Sequence, residues 1–343
     1  MKYVHIDSVE PGQILGKAIF SSNGTVLLSE NVELTVYMIN TLRRIGVTML
    51  YIRDELFDDV EVEDIVSEEN KRLVIRRMAE TFEAIRSGKE FNTRNLSFSI
   101  DKLLEDVLQN RNVLVQLSDI RTHDNALYIH ALNVCVMSTL VGINLGLNQT
   151  QLKELAIGAL LHDIGKVGLD PEEERKDARN HHAWKGFDIL KQKRDYSLLI
   201  AHVAFQHHEA LDGSGQPRGL TDEQIHLYPK IVAIANTYDN LLSNSGNGRG
   251  MLPHEACEHL NALAGSKLDH DLLIHFLKVV SVYPTGTSVR LTTKETGVVV
   301  GQHRGLPGRP IVRVVTREGD SDISVKEVDL AKHTTVFIEA VLT

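Results

Sequence analysis

LHDIGK, residues 161–166, and AFQHHEALDGSGQP, residues 204–217, set five metal-capable side chains, His162, Asp163, His207, His208 and Glu209, in two tight groups. His162 and Asp163 follow Leu155, Ala159 and Leu160 down an apolar helical face and precede Gly165, which is expected to terminate that helix. A carboxylate buried at a helix end needs a partner, because an unpaired buried charge is costly. A metal supplies one: the two carboxylate oxygens can bridge a pair of cations about 3.5–4 Å apart, and imidazoles from separate helices complete the shell. His207 and His208 add two nitrogens, and NHHAWKG (180–186) offers His181 and His182. Consecutive helical residues diverge by about 100°, so both members of a histidine pair reach one site only near a helix end. The loop LDGSGQP after His208 fits such an end. His130 shares a face with Val134, Met137 and Val141 and is expected to point inward; taken alone, it is better explained as a satisfied core residue than as a ligand.

Outward from these groups, the chain of 343 residues is 42% hydrophobic, enough for a full core and more than one domain. Its 37 Lys and Arg against 46 Asp and Glu leave a net charge of −9, which argues against a DNA or RNA polymer or an acidic membrane surface as partner. Any phosphate ligand must then be held locally. Cys135 and Cys257 form no metal-binding pattern and suit a reducing compartment. No secretory signal and no window of roughly 18 apolar residues stand out, so a cytoplasmic protein without a membrane span is expected.

Composition divides the chain into four parts. Residues 1–55 mix β-prone runs (GQILGKAIF, TVLL, TMLYI) with one helical stretch stopped by Gly46, and read as a small α+β module. Residues 56–110 read as a helical linker that opens on an acidic run. Within it, Val74, Met78, Phe82 and Ile85 form a stripe suited to core packing or to a homodimer seam. Residues 111–282 are helical almost throughout. Strand signals return in 283–343 (TSVRLTT, TGVVVGQ, PIVRVVT, TTVFIEAVL), giving a small β domain. The expected fold is thus multi-domain and mainly α, with protein partners for the flanking modules left open.

The order His130, His162-Asp163-Ile-Gly-Lys166, His182, His207-His208-Glu209 and Asp212-Gly213-Ser214-Gly215 resembles the HD-GYP subgroup of the HD-domain phosphohydrolases, over roughly residues 115–280. The resemblance implies an all-helical domain with two transition-metal ions, iron or manganese, that hydrolyses cyclic di-GMP. Carried over by position, Asp163 bridges the metals. His130 and His162 bind one, with Asn236 beside them, and His182, His207 and His208 bind the other. Asp163 and Lys166 carry the catalysis. Lys166, Asp212, Gly213, Gly215 and Arg218 are expected to line the cyclic dinucleotide.

Four departures accompany the resemblance. The signature Gly-Tyr-Pro reads Gly215-Gln216-Pro217, and the usual late aspartate ligand is Asn236, with Asp239 as a less favoured substitute. The arginine-rich segment reads SNSGNGRG, leaving Arg249, and the connection from Lys166 to His182 lacks its Lys-Pro-Gly. Ala126, where trinuclear members carry a glutamate, limits the expectation to two metals. These departures keep open a weak enzyme, a non-catalytic cyclic-dinucleotide-sensing or protein-interaction module, and a phosphohydrolase of another nucleotide.

Overall fold

Several helices in this chain start at side chains that accept from their first free amides: Thr35, Ser67, Asn92 and Asn148. The computed structural model describes residues 1–116, 119–169, 172, 180–243, 250–318 and 322–342. These divide into two compact units, one of residues 65–111 and 127–279, the other of residues 1–64, 112–126 and 280–343. The two flanking modules therefore share a unit, and the stretch read as a linker packs with the helices from residue 65 onward.

The helical unit opens with α2 (Glu68–Arg86), following α1 (Val36–Arg44) of the other unit. Ser67 caps α2 by accepting from the Asn70 amide, Glu68 and Glu69 sit at its positive end, and Gly88 closes it with φ +67°. Val74, Met78 and Phe82 are buried against this chain's own residues, so the stripe is core and no dimer seam is needed to explain it. Burying each such side chain is worth about 1.5–3 kcal/mol. Next come α3 (Thr93–Gln109), α4 (Ala126–Asn144) and α5 (Gln149–Leu160), the last started by reciprocal bonds between Asn148 and Gln151. Two helices follow, α6 (His182–Leu190) and α7 (Leu198–Gln206). The unit ends with α8 (Leu227–Ser243), α9 (Pro253–Leu263) and α10 (His270–Leu277).

One expectation about hydropathy is corrected. Helix α4 is long and apolar enough to cross a membrane by length and composition, with mean hydropathy 1.7, although 78% of that window is buried inside the fold. Every residue from Ile129 to Gly142 is buried, which accounts for an apolar character on nearly all sides.

Among the described residues, the second unit holds three antiparallel sheets. Strands β1 (Lys2–His5) and β4 (Met49–Ile52) pair, as do β2 (Ile19–Phe20) and β3 (Val26–Leu28). Leu15, Ile19, Leu34, Ile39, Leu42 and Leu50 belong to the core beneath them. Strands β5 (Ser288–Leu291), β6 (Thr296–Gly301), β7 (Ile311–Glu318), β8 (Asp322–Asp329) and β9 (Ile338–Leu342) form a five-stranded sheet in the order β8-β7-β6-β5-β9. Val289, Leu291, Val299, Val312 and Val314 fill one of its faces, as alternation along a half-buried strand requires.

Candidate metal centre

Helix α5 stops at Leu160, so His162 and Asp163 lie in the turn that leads into a short 3-10 segment, Ile164–Lys166. Gly165 is not the residue that terminates the helix. Its role is close approach: a Cβ there would stand 1.9 Å from the His182 carbonyl oxygen and 2.6 Å from the Gly186 amide. The turn thereby rests directly on the first turn of α6 and brings His182 to Asp163. Gly158 allows similar intimacy between α5 and α7, since a Cβ there would lie 2.7 Å from Val203 Cγ2. Helix α7 ends at Gln206, so His207 and His208 leave its last turn together.

The histidines are held in one tautomer by their outer nitrogens. His162 Nδ1 donates to the Ala159 carbonyl at 2.7 Å, and His207 Nδ1 donates to the Ala204 carbonyl at 2.9 Å. Asp239 Oδ2 accepts from His130 Nδ1 at 2.5 Å. Each of these three rings therefore turns an Nε2 lone pair inward. His130 and His162 bring their Nε2 atoms to 3.2 Å, His182 and His207 to 3.3 Å, and His208 and His182 to 3.1 Å.

Asp163, with 2% of its surface exposed, lies between them. Its Oδ2 is 3.4 Å from His162 Nε2 and 3.6 Å from His130 Nε2; its Oδ1 is 3.3 Å from His182 Nε2 and 3.6 Å from His207 Nε2. That Oδ1 is buried with no hydrogen-bond partner. Two donor groups result, His130, His162 and Asp163 in one and Asp163, His182, His207 and His208 in the other, joined by the carboxylate. Lone pairs packed this closely around an orphaned anionic oxygen suit cations between them, and a set of imidazoles with one carboxylate suits divalent transition metals better than calcium or magnesium.

Charge states agree with that fit. Burial lowers the His207 imidazole to about 3 and takes His208 well below the ordinary value, with the neighbouring rings adding to the effect. Both imidazoles are neutral at pH 7. Burial alone would raise the Asp163 carboxyl, but the surrounding imidazoles of His162, His182 and His207 hold it well below the usual carboxylate range.

The other sequence-predicted residues fall in different places. Lys166 Nζ, half-exposed, pairs with Asp163 Oδ2 at 2.6 Å. Asn236 is buried in α8, and its Oδ1 accepts from Asn240 Nδ2 at 2.8 Å. Asp239, one turn further along α8, also accepts at Oδ1 from Asn133 Nδ2 at 3.1 Å. The sequence reading weighed Asp239 only as a substitute ligand and missed this contact; a carboxylate among the apolar residues of IANTYDNLLS was the available signal.

Glu209, counted among the metal-capable side chains, is not at the metal groups. Its two carboxylate oxygens accept from the Arg218 and Leu220 amides, each at 2.9 Å, and so clamp the loop that follows. Within that loop Asp212 Oδ1 accepts from the Ser214 amide and hydroxyl, Gly213 turns at φ +77°, and Gly215 lies so close that a Cβ would meet the Ala210 amide at 2.2 Å. Arg218 is exposed, its guanidinium over the Phe205 ring at 5.5 Å. Arg249 and residues 244–249 lie outside the described residues.

Residues 102–272 match the HD domain family, and residues 288–343 match the KOW domain associated with HD domain. The chain is 31% identical over 231 residues to a cyclic di-GMP phosphodiesterase of Pseudomonas aeruginosa, covering 65% of this chain and 56% of that one. It is 30% identical over 206 residues to a cyclic di-GMP phosphodiesterase of Thermotoga maritima, covering 57% and 53%. A 3'3'-cGAMP-specific phosphodiesterase of Vibrio cholerae is 33% identical over 122 residues, covering 33% of this chain and 26% of that one. The chain thus spans about half the length of the first two relatives.

Proposed function

Because this chain belongs to the HD-domain family through residues 102–272, we propose that it is a metal-dependent phosphodiesterase that opens cyclic di-GMP. The observation that carries this reading is Asp163 Oδ1, a buried oxygen without a hydrogen-bond partner among inward-facing imidazole nitrogens. His130, His162 and Asp163 would hold one iron or manganese ion, and Asp163, His182, His207 and His208 the other. Such a pair, when bound, supplies Lewis acidity toward the phosphodiester and lowers the pKa of a nearby water.

The chain's own residues do the rest. Neutral His207 and His208 are ready to ligate at pH 7 without losing a proton. Lys166, whose ammonium stands at the edge of the site, is a point charge for a non-bridging phosphate oxygen as negative charge builds. The loop clamped by Glu209 presents Arg218 on its exposed side, a local cation for an anionic ligand in a chain of net charge −9. Asp212, Gly213 and Gly215 shape that loop in the same reading.

Asn236 favours a second reading, a cyclic-dinucleotide-sensing module without turnover. A neutral carboxamide holds a cation less firmly than a carboxylate, and this one is engaged with Asn240. Incubating manganese- or iron-loaded protein with cyclic di-GMP, and separately with 3'3'-cGAMP, separates the readings. Linear or monomeric products from cyclic di-GMP, abolished by a chelator, are expected. Products from 3'3'-cGAMP alone would move the substrate, and binding of either ligand by the loaded protein without products would favour the sensor.

A further inference from the structure

Of the histidines with a determined outer partner, His162 and His207 donate to neutral backbone carbonyls, whereas His130 donates to a carboxylate. Asp239 is fully buried and both of its oxygens are engaged by α4: Oδ2 by His130 Nδ1 at 2.5 Å, Oδ1 by Asn133 Nδ2 at 3.1 Å. His130 and Asn133 are three residues apart and so lie on one helical face. That face and a single carboxylate of α8 form a closed clasp, within the same compact unit as the metal groups.

We infer that Asp239 is a positioning residue that fixes the tautomer and orientation of His130 and supplies, through that ring, the negative charge that Asn236 does not bring to the same metal group. The inference rests on the proposed metal centre. A carboxylate accepts and never donates, so the His130 proton is confined to Nδ1 and the Nε2 lone pair is always available. A carboxylate behind an imidazole also raises its basicity as a ligand, which the carbonyls behind His162 and His207 do less strongly. Asn133 contributes by occupying Oδ1, which leaves Oδ2 for the ring. The neutral residue at 236 is then tolerable, because an anion stands one turn along α8 and acts through His130 instead of touching the cation.

Asp239→Asn is the informative change, since it keeps shape and removes both the charge and the acceptor-only character. An amide can present either its oxygen or its N–H to Nδ1, so the proton on His130 is no longer confined. Metal titration of chelator-stripped full-length protein, followed calorimetrically with manganese, should show two binding events in the parent. In Asp239→Asn one event should weaken by roughly 10- to 100-fold while the other is unchanged. Nitrogen-15 NMR of the stripped proteins gives a readout independent of metal and turnover: His130 should be a single Nδ1–H tautomer in the parent and a mixture in the variant. Asn133→Ala should weaken the same event by a smaller factor. Two unchanged binding events together with an unchanged His130 tautomer would overturn the inference. Absence of any metal binding by the parent would instead overturn the metal centre itself. Tight binding without hydrolysis would overturn the proposed activity and leave Asp239 in its role.

Discussion

Asp163 and Lys166 stand three residues apart and share an ion pair of 2.6 Å, yet in the proposed reaction they have separable roles. Asp163 joins the two donor groups, so Asp163→Asn should lose metal and activity together. Lys166 reaches solvent while Asp163 does not, which suits a contact to substrate. Lys166→Ala is therefore expected to keep its metals and lower turnover by about 10²-fold. Its metal-free form should melt earlier, because an uncompensated carboxylate is left buried. Elemental analysis beside the rate decides this; equal loss of metal in both variants would make Lys166 structural. At this scale the sequence was informative, because His162, Asp163, His182, His207 and His208 are the residue types that metal chemistry requires, and they fall at helix ends where pairs can converge. Asp239 was harder to place, since only the facing helix α4 reveals that it serves His130.

The elements explain what no local pattern carries. Gly165 looked like a helix terminator because glycine commonly is one; its actual constraint comes from α6, a separate element packed against it. Strand β8 escaped notice because DISVKEVD mixes charges with its few apolar residues, and it pairs at the edge of the sheet, where such a pattern is tolerated. Glu209 resembles a ligand in HHE but is an element-level device, holding the loop of residues 212–218 against the end of α7. Glu209→Ala leaves two backbone amides without their acceptor, each at a cost of about 1–3 kcal/mol if they stay dry. A lower melting midpoint and a raised KM for the cyclic dinucleotide are expected, with the metals retained. An unchanged KM would separate this loop from substrate binding.

At the scale of the whole molecule, composition indicated a mainly helical chain with small flanking α+β and β parts, and the observed elements have that character. It was silent on which parts pack together, since the grouping of residues 1–64, 112–126 and 280–343 depends on contacts distant in sequence. The buried histidines also govern stability as a whole. His207 has an ordinary value of 6.5 when unfolded and about 3 when folded, and His208 shifts in the same direction. Between those limits the unfolded chain binds more protons, so unfolding becomes easier as pH falls below 6.5. The depressed Asp163 carboxyl adds a loss in the same direction at lower pH. The metal-free protein should accordingly melt progressively earlier from pH 7 to pH 5, and His207→Gln should flatten that dependence; a midpoint that holds or rises on acidification would contradict the burial of neutral imidazoles.

The most direct test of the proposed centre is the rate of cyclic di-GMP hydrolysis as manganese or iron is added stepwise to metal-free protein under anaerobic conditions. The rate should be absent at the start, rise with loading and level off near two equivalents per chain, with no response in Asp163→Asn. Full loading without any hydrolysis, or hydrolysis that is already maximal in the metal-free protein, would contradict a phosphodiesterase built on this pair of donor groups.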